Sequence, residues 1–234
     1  MAGAFAPPRP MPAHGLYHPD LLITNAAEWA GHRALGKQTA IVLFYRAHVL
    51  SGNLQFVDAA LRALESRGFS AIGVFTSSLR DCDATGVPLA LRLLPDFPDI
   101  IVNTVSFPAS PQGCGTPFEV IGAPLIQAIC CGTPRATWHE SVRGLSSSEA
   151  AMHVVLPECD GRLISVPISF KENHRYVPDA ERLQRVAGFA HRLAVLRGKS
   201  NSEKRIAIVL SNAGGKAQRI GGAVDLDTPT SLLQ

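Results

Sequence analysis

The stretch TAIVLFYRAHVLSGNLQFVDAALRALESRGFSAIGVFT, residues 39–76, decides the fold class. Its two ends, Thr39–Tyr45 and Ser70–Thr76, are short apolar runs of the kind that buried parallel strands show. Between them, apolar residues recur at three- and four-residue steps, as on one face of a helix: Leu54, Val57, Leu61 and Leu64. A strand, a helix and a strand in this order form a right-handed parallel pair. The sequence therefore predicts an α/β protein.

The same pattern continues towards the carboxyl terminus. Residues 99–105 (DIIVNTV) and 126–130 (IQAIC) are expected to be further strands, and residues 81–95 and 118–125 to be helical. We therefore predict a parallel, doubly wound sheet, flavodoxin-like or periplasmic-binding-like in arrangement. Asn53 is expected to cap the helix that follows the first strand.

Three segments are expected along the chain. Residues 1–36 form an irregular or partly helical lead-in, and residues 37–172 form the α/β domain. Residues 173–234 contain a long amphipathic helix, about 179–197, and then a strand at 206–210 that begins a further strand–loop–helix unit. Because the sequence stops inside that unit, the fold is expected to be incomplete at the carboxyl terminus.

Composition excludes several classes of protein. The net charge is only +3, and the basic residues form no long run, so neither nucleic-acid nor anionic-membrane binding is expected. The five cysteines lack the paired spacing of a zinc site and are expected to be reduced. The chain shows neither a signal peptide nor an apolar run long enough to span a membrane. We expect a cytoplasmic protein.

Polar residues follow the first strand in YRAHVLSGN, residues 45–53. Arg46, His48, Ser51 and Asn53 are expected at the carboxyl edge of the sheet, where they could bind an anion. A polar loop with an asparagine cap explains the same pattern. His48 could also coordinate a metal ion, although no second histidine lies at ligand spacing.

The segment PECDGR, residues 157–162, interrupts two apolar runs. Asp160 and Gly161 are typical of a hairpin turn, which would make the flanking MHVVL and LISVPISF two strands. This interpretation leaves Glu158 unexplained. Its carboxylate could ligate a cation or accept a proton that a metal displaces.

A glycine-rich loop follows the strand expected at residues 206–210, within LSNAGGKAQRIGG. It has neither the Gly-Lys-Ser/Thr ending of a phosphate-binding loop nor the dinucleotide-binding spacing. Nucleotide binding by this chain is therefore not expected.

Motifs in order along the chain resemble an internal part of the CobN family of aerobic cobaltochelatase large subunits. They are GLYHPD, VLFYRAHVLSGNLQFVDAALRALESRG, VFTSSLRD, APLIQAI, TWHESVRGLS, AMHVVLPECDGRLISVPISFKE, EKRIAIVLSN, RIGGAV and LDTPTSLL. The H-type subunits of magnesium chelatases are similar more distantly. The sequence departs from the family near its end, where GAVDLDTP replaces the usual NAVGLDTP, so that Gly222 and Asp225 are substitutions.

The resemblance implies ATP-dependent insertion of cobalt into the corrin hydrogenobyrinic acid a,c-diamide during cobalamin synthesis. In this family the large subunit binds the tetrapyrrole and the metal, and separate AAA+ motor subunits hydrolyse ATP. Magnesium insertion into protoporphyrin IX, or a tetrapyrrole-binding module without catalysis, are the alternatives. Because the family's large subunit is much longer, we expect a fragment that needs the remainder of the subunit and is inactive alone.

The resemblance also implies roles for individual residues. Glu158 is the first candidate for holding the metal ion and for taking the pyrrole protons, and His48 is the second. The remaining motif residues are expected to bind the substrate, with the arginines pairing with corrin carboxylates: Arg46, Ser51, Asn53, Asp160 and Arg162.

Overall fold

The structure is a computed structural model that describes residues 10–109, 116–210 and 228–233. Its strands are β1 (His14–His18), β2 (Leu22–Thr24), β3 (Thr39–Tyr45), β4 (Ser70–Thr76), β5 (Ile100–Asn103), β6 (Leu125–Cys131), β7 (Leu163–Glu172) and β8 (Arg175–Pro178). They form one eight-stranded sheet in the order β2-β1-β4-β3-β5-β6-β7-β8. The strands at both sides, β1, β2 and β8, pair antiparallel to their neighbours.

The central strands, from β4 to β7, are all parallel. These five strands lie in the sheet order β4-β3-β5-β6-β7. If they are renumbered 1 to 5 along the chain, this order is 2-1-3-4-5, which is the flavodoxin-like order. The predicted parallel α/β sheet is confirmed, and the two apolar runs at residues 39–76 have the bounds expected of them.

Helices cover both faces of the sheet. They are α1 (Ala26–His32), α2 (Arg46–Leu50), α3 (Gln55–Glu65), α4 (Phe118–Ile121), α5 (Arg135–Glu140), α6 (Ser147–Ala150), α7 (Leu156–Glu158), α8 (Ala180–Gly198) and α9 (Thr228–Leu233). A π-helical turn, Ala151–Val155, joins α6 to α7, and short 3₁₀ turns lie at Leu89–Arg92 and Asn201–Glu203.

Successive residues of β3 pack on opposite faces, as the twofold repeat of a strand requires. Val42 and Phe44 contribute to the core beneath α3 and α8. Ile41 and Leu43 contribute to the second core, which contains Trp29 of α1 and side chains of the 3₁₀ turn and α4. The sheet is therefore doubly wound, as predicted.

The amino-terminal segment differs from the irregular lead-in that was expected. Residues 14–24 form β1 and β2, and β1 pairs with β4 from His14 opposite Thr76 to Tyr17 opposite Gly73. The apolar alternation in β1 is short, but Leu16 and Tyr17 are buried against the sheet. Tertiary packing, which a five-residue pattern does not reveal, therefore determines this edge.

The expected helix over residues 81–95 is wrong, apart from the 3₁₀ turn at Leu89–Arg92. The Asp83 carboxylate accepts hydrogen bonds from the backbone N–H groups of Thr85 and Val87. Gly86 adopts a φ of +82° and Pro88 follows two residues later, so the chain turns before a helix can begin.

The expected strand MHVVL is also wrong, because this segment is helical. Ser146 and Glu149 form a capping box in which each side chain binds the other residue's backbone N–H, and this starts α6. The helix then passes through the π turn and α7 and ends at the turn that contains Gly161, where φ is +70°. The hairpin lies further along, between β7 and β8, with Asn173 and His174 at positive φ.

The chain divides into two compact units, Met1–Arg197 and Gly198–Gln234. The first unit extends beyond residue 172, because β8 and nearly all of α8 belong to it. In the second unit residues 206–210 are exposed and form no strand, so that prediction is wrong. The glycine-rich loop after them lies outside the described residues.

Within the described part of the chain, no helix combines the length and the apolar character that a membrane crossing needs.

Candidate functional site

The predicted site residues 46–53 lie at the carboxyl edge of the parallel strands, whereas residues 158–162 precede β7 and contact the loop after β5. The chain reverses its direction of winding between β3 and β5, and such a switch point is where doubly wound sheets bind ligands. The segment after β3 and the loop after β5 flank this point. The Tyr45 hydroxyl joins them, because it accepts hydrogen bonds from the backbone N–H groups of Ser106 (3.2 Å) and Phe107 (3.4 Å).

Arg162 is the centre of a buried hydrogen-bond network beside the loop after β5. Its guanidinium donates to the backbone oxygens of Val105 (2.6 Å) and Phe107 (2.8 Å) and to the Asp160 carboxylate (2.5 Å). Asp160 also accepts a bond from the backbone N–H of Ala109 at 2.8 Å. The side chains of Arg162 and Asp160 are 0% and 2% exposed, so both residues hold the loop after β5 and neither faces solvent.

Buried amides extend this network into the strands. The Asn103 side chain donates to the Gln127 side-chain oxygen at 2.6 Å, and Arg162 donates to the same oxygen at 3.1 Å. Neither amide is among the candidates chosen from the sequence. The sequence feature that could have identified them is a polar residue in each of two otherwise apolar strands, IIVN and LIQAICC.

His153 joins the π turn to the loop after β5. Its Nδ1 lies 3.2 Å from the Ser106 hydroxyl. Burial lowers the pKa of His153, so the ring is neutral at physiological pH. This residue is also missing from the sequence-based candidates, because the MHVVL run has the pattern of a strand.

Glu158 ends α7 and is exposed, which differs from the strand position expected for it. Among the described residues, no hydrogen bond or ion pair engages its carboxylate, although Asp160 and Arg162 follow within the same turn. Of the seven site residues predicted from the sequence, Glu158 is thus the acid that remains open to an incoming ligand.

The residues of YRAHVLSGN bind other parts of the protein. The Arg46 guanidinium donates to the backbone oxygens of Met11 and Pro12, both at 2.8 Å, and the Ser51 hydroxyl donates to the Ala47 oxygen at 2.8 Å. Arg46 thereby fixes the segment that leads into β1, and Ser51 closes the end of α2.

Asn53 does not cap α3, contrary to the expectation. The cap position is Leu54, which makes no side-chain bond there, and the Asn53 side-chain oxygen instead accepts the backbone N–H of Tyr176 at 3.0 Å. Asn53 therefore connects the loop after α2 to β8, a long-range contact that local sequence does not reveal.

Replacing Asn53 with alanine is expected to lower the free energy of unfolding by about 1–3 kcal/mol, because the Tyr176 N–H loses its acceptor. Urea denaturation measures the change. Asn53→Asp keeps an oxygen in the same place and is expected to lose less. Equal losses in the two variants would show that the hydrogen bond is not what stabilises this contact.

His48 packs among aromatic rings. Its ring lies 4.9 Å from that of Phe56 and 5.6 Å from that of Tyr176, measured between centroids. Burial, followed by the positive charge of Lys171, lowers the pKa of His48 to about 4. The imidazole is therefore neutral at physiological pH and is a weak base.

This environment predicts a pH-dependent stability. Because the unfolded chain binds a proton on His48 below about pH 6.5 and the folded chain binds it only near pH 4, stability falls as the pH falls through this window. Between about pH 7 and about pH 4.5 the loss is expected to be roughly 2 kcal/mol. Urea midpoints of the parent and of His48→Phe, which keeps an aromatic ring, measure it. The same pH dependence in both proteins would contradict the assignment.

The predicted site residues thus form two clusters. Arg46, His48, Ser51 and Asn53 lie between the segment before β1 and β8, and residues 158–162 lie against the loop after β5. No hydrogen bond or ion pair joins the two clusters in the described ranges.

A separate groove of about 760 Å³ lies between the start of β7 and α8. Its lining includes Arg67, Arg185 and Arg192 together with Phe189. None of the residues predicted from the sequence lines this groove, and it lies away from the carboxyl edge of the sheet.

Comparison with known proteins gives a family match over the whole chain. The family model CobN/Magnesium Chelatase matches residues 1–234. The chain is 34% identical to the aerobic cobaltochelatase subunit CobN of Sinorhizobium sp, over 97% of this chain and 20% of the relative. It is 26% identical to the H-type subunit of the magnesium chelatase of Chlorobaculum parvum, over 96% of this chain and 19% of the relative.

A solved structure shares the fold. The catalytic subunit of cobaltochelatase from Mycobacterium tuberculosis aligns with a TM-score of 0.73 and 33% sequence identity, over 100% of this chain and 20% of that one. The chain therefore spans about a fifth of the length of the relatives that it matches.

Proposed function

Because the chain belongs to the CobN/magnesium chelatase family, we propose that it forms one wall of the site where a cobaltochelatase large subunit inserts Co²⁺ into a corrin ring. The proposed substrate is hydrogenobyrinic acid a,c-diamide, and the process is cobalamin biosynthesis. The match to CobN over nearly the whole chain carries the proposal. The complete activity is assigned to a full-length subunit, of which this chain corresponds to about a fifth.

Metal insertion needs a protein ligand that replaces water on the ion, and a base that takes the two protons of the ring nitrogens one after the other and releases each to solvent. An exposed carboxylate without a protein partner suits both tasks, because it binds hard and borderline cations and accepts protons. Among the described residues Glu158 has this character, and it is close in sequence to Asp160 and Arg162, which bond to the loop after β5. We assign it the metal contact and the proton transfer.

His48 is the second candidate, with a narrower role. A neutral imidazole offers a lone pair to a borderline cation, but a pKa of about 4 makes it a poor acceptor for pyrrole protons. We therefore assign His48 to transient metal contact, and proton removal to Glu158.

The other motif residues are proposed to shape the crevice. Arg162 and Asp160 are buried and bonded to the loop after β5, so we assign them a positioning role. Arg46 and Ser51 are less buried, and direct contact of these two with corrin side chains stays a prediction. Asn53 holds β8 against the loop after α2.

Separate AAA+ subunits are proposed to hydrolyse ATP and to drive insertion. The chain's own sequence has no Gly-Lys-Ser/Thr phosphate loop, which agrees with this division of labour. The site would then be completed by the remainder of the large subunit, and the assembly is expected in the cytoplasm.

Magnesium insertion into protoporphyrin IX is the alternative function. The higher identity to CobN, 34% against 26% for the magnesium-chelatase relative, favours cobalt. The test is a full-length subunit that carries this segment, assayed with its AAA+ subunits and ATP. We expect cobalt to enter the corrin and no magnesium to enter protoporphyrin IX. The reverse preference would overturn the cobalt assignment, and tetrapyrrole binding without any insertion would favour a binding module.

A further inference from the structure

We propose that His18, Asp20 and His32 form a second metal site, one that binds a borderline divalent cation such as Zn²⁺ or Co²⁺ and is distinct from the insertion site. The site lies at the opposite edge of the sheet. In the antiparallel pairing of β1 with β4, His14 faces Thr76 at the carboxyl end of β4, and the chain then runs past Gly73 towards the amino end. His18 therefore lies away from the carboxyl edge that carries residues 46–53.

The three ligand atoms already converge. Asp20 Oδ2 lies 3.7 Å from His18 Nδ1 and 3.7 Å from His32 Nε2, and all three atoms lie within 4.8 Å of one another. In a four-coordinate zinc site with bonds of about 2.0–2.2 Å, ligand atoms are roughly 3.3–3.6 Å apart. A small inward shift of the two more exposed side chains, Asp20 and His32, would complete the geometry.

His18 is oriented as a metal-binding histidine usually is. The Glu65 carboxylate lies 2.9 Å from His18 Nε2, and the backbone N–H of Asp20 donates to Nδ1 at 3.3 Å. Both contacts select the tautomer with its proton on Nε2 and a lone pair on Nδ1. A carboxylate behind a metal-binding histidine fixes the ring in this way. A bound cation would replace only the long contact with the Asp20 N–H.

Asp20 is held with one oxygen free for a ligand. The Arg62 guanidinium hydrogen-bonds to Oδ1 of Asp20 and to Glu65, which leaves Oδ2 facing the histidines. The positive charge of Arg62 repels a cation, but the carboxylates of Asp20 and Glu65 together carry two negative charges, which attract it.

The site is accessible from solvent. The His18 side chain is 0% exposed, but those of Asp20 and His32 are 45% and 35% exposed. His32 and Glu65 also line a cavity of about 180 Å³, in which a water molecule could supply a fourth ligand. The buried His18 therefore offers the ion a rigidly held ligand, and the exposed Asp20 and His32 leave a path from solvent to the site.

The donor set selects the class of ion. Two imidazole nitrogens and one carboxylate suit Zn²⁺, Co²⁺, Ni²⁺ or Cu²⁺, whereas Mg²⁺ and Ca²⁺ prefer oxygen ligands alone. The ligands come from β1, the turn after it and α1, and Glu65 comes from α3. A bound ion would therefore join these elements and stabilise this side of the sheet.

The test is titration of the metal-free 234-residue chain with Co²⁺, followed by visible absorption and calorimetry, with Zn²⁺ and Mg²⁺ as competitors. We expect one Co²⁺ per chain, the absorption of four-coordinate Co²⁺ without a sulfur charge-transfer band, and displacement by Zn²⁺ but not by Mg²⁺. His32→Gln and Asp20→Asn are each expected to weaken binding about 10-fold or more. Circular dichroism verifies that both variants are folded.

His139→Gln is the matched control, because His139 is also exposed and also lies in the last turn of a short helix. It is expected to leave binding unchanged. The proposal is overturned by absence of saturable Co²⁺ binding, by a sulfur-to-cobalt band that points to a cysteine, or by equal losses in His139→Gln and His32→Gln.

Discussion

Replacing Arg162 with methionine is expected to lower the free energy of unfolding by about 3–5 kcal/mol, the usual cost of removing one partner of a buried ion pair. The substitution leaves the Asp160 carboxylate buried with only the Ala109 N–H to satisfy it. It also removes the donors to the backbone oxygens of Val105 and Phe107. Urea denaturation near neutral pH measures the loss.

Arg185→Met is the control for this prediction. Arg185 and Glu181 form an exposed ion pair on α8, with side chains 65% and 67% exposed, and such pairs contribute little to stability. Arg162→Lys is informative if the methionine variant does not fold, because it keeps the charge but not the forked geometry, and we expect an intermediate loss. Stability of Arg162→Met equal to that of Arg185→Met would contradict a network that holds the loop after β5.

Much of the fold is readable from the sequence because the signals are local and strong. The runs Thr39–Tyr45 and Ser70–Thr76 are continuous and apolar, and each is buried on both faces of a parallel sheet. The apolar face of α3 repeats at helical spacing over its full length. These patterns are independent of any contact that is distant in sequence.

Elsewhere the fold depends on contacts that a local pattern does not carry. The VV of the MHVVL run favours a strand by propensity, but the Ser146–Glu149 capping box starts a helix that continues through it. The apolar run at residues 206–210 has the composition of a strand, yet none of the described residues pairs with it. Composition alone does not supply a partner.

The position of residues 46–53 was predictable, because they directly follow a strand and therefore lie at the carboxyl edge of the sheet. Asp160 and Gly161 were expected in a hairpin turn between two strands, whereas they follow a helix and precede β7. Burial then separated the roles within residues 158–162: Asp160 and Arg162 face inward, whereas Glu158 is exposed. The sequence did not predict the group of His18, Asp20 and His32, because their spacing is irregular. Only the turn after β1 and the end of α1 bring them together.

Replacing Glu158 with glutamine is expected to lower the rate of metal insertion by about 100-fold or more in a full-length subunit that carries this segment, because the amide cannot accept a proton. Corrin affinity is expected to stay unchanged, since the substitution keeps the shape of an exposed side chain. Glu140→Gln is the control, because Glu140 is likewise exposed and ends a short helix.

The most direct test of the proposed role is therefore single-turnover insertion of Co²⁺ into saturating corrin by the full-length Glu158→Gln subunit, with its AAA+ subunits and ATP. We predict a rate about 100-fold or more below that of the parent, with corrin affinity and the Glu140→Gln control unchanged. A Glu158→Gln subunit that inserts Co²⁺ at the parent rate would contradict the assignment of Glu158 to the chemistry of insertion.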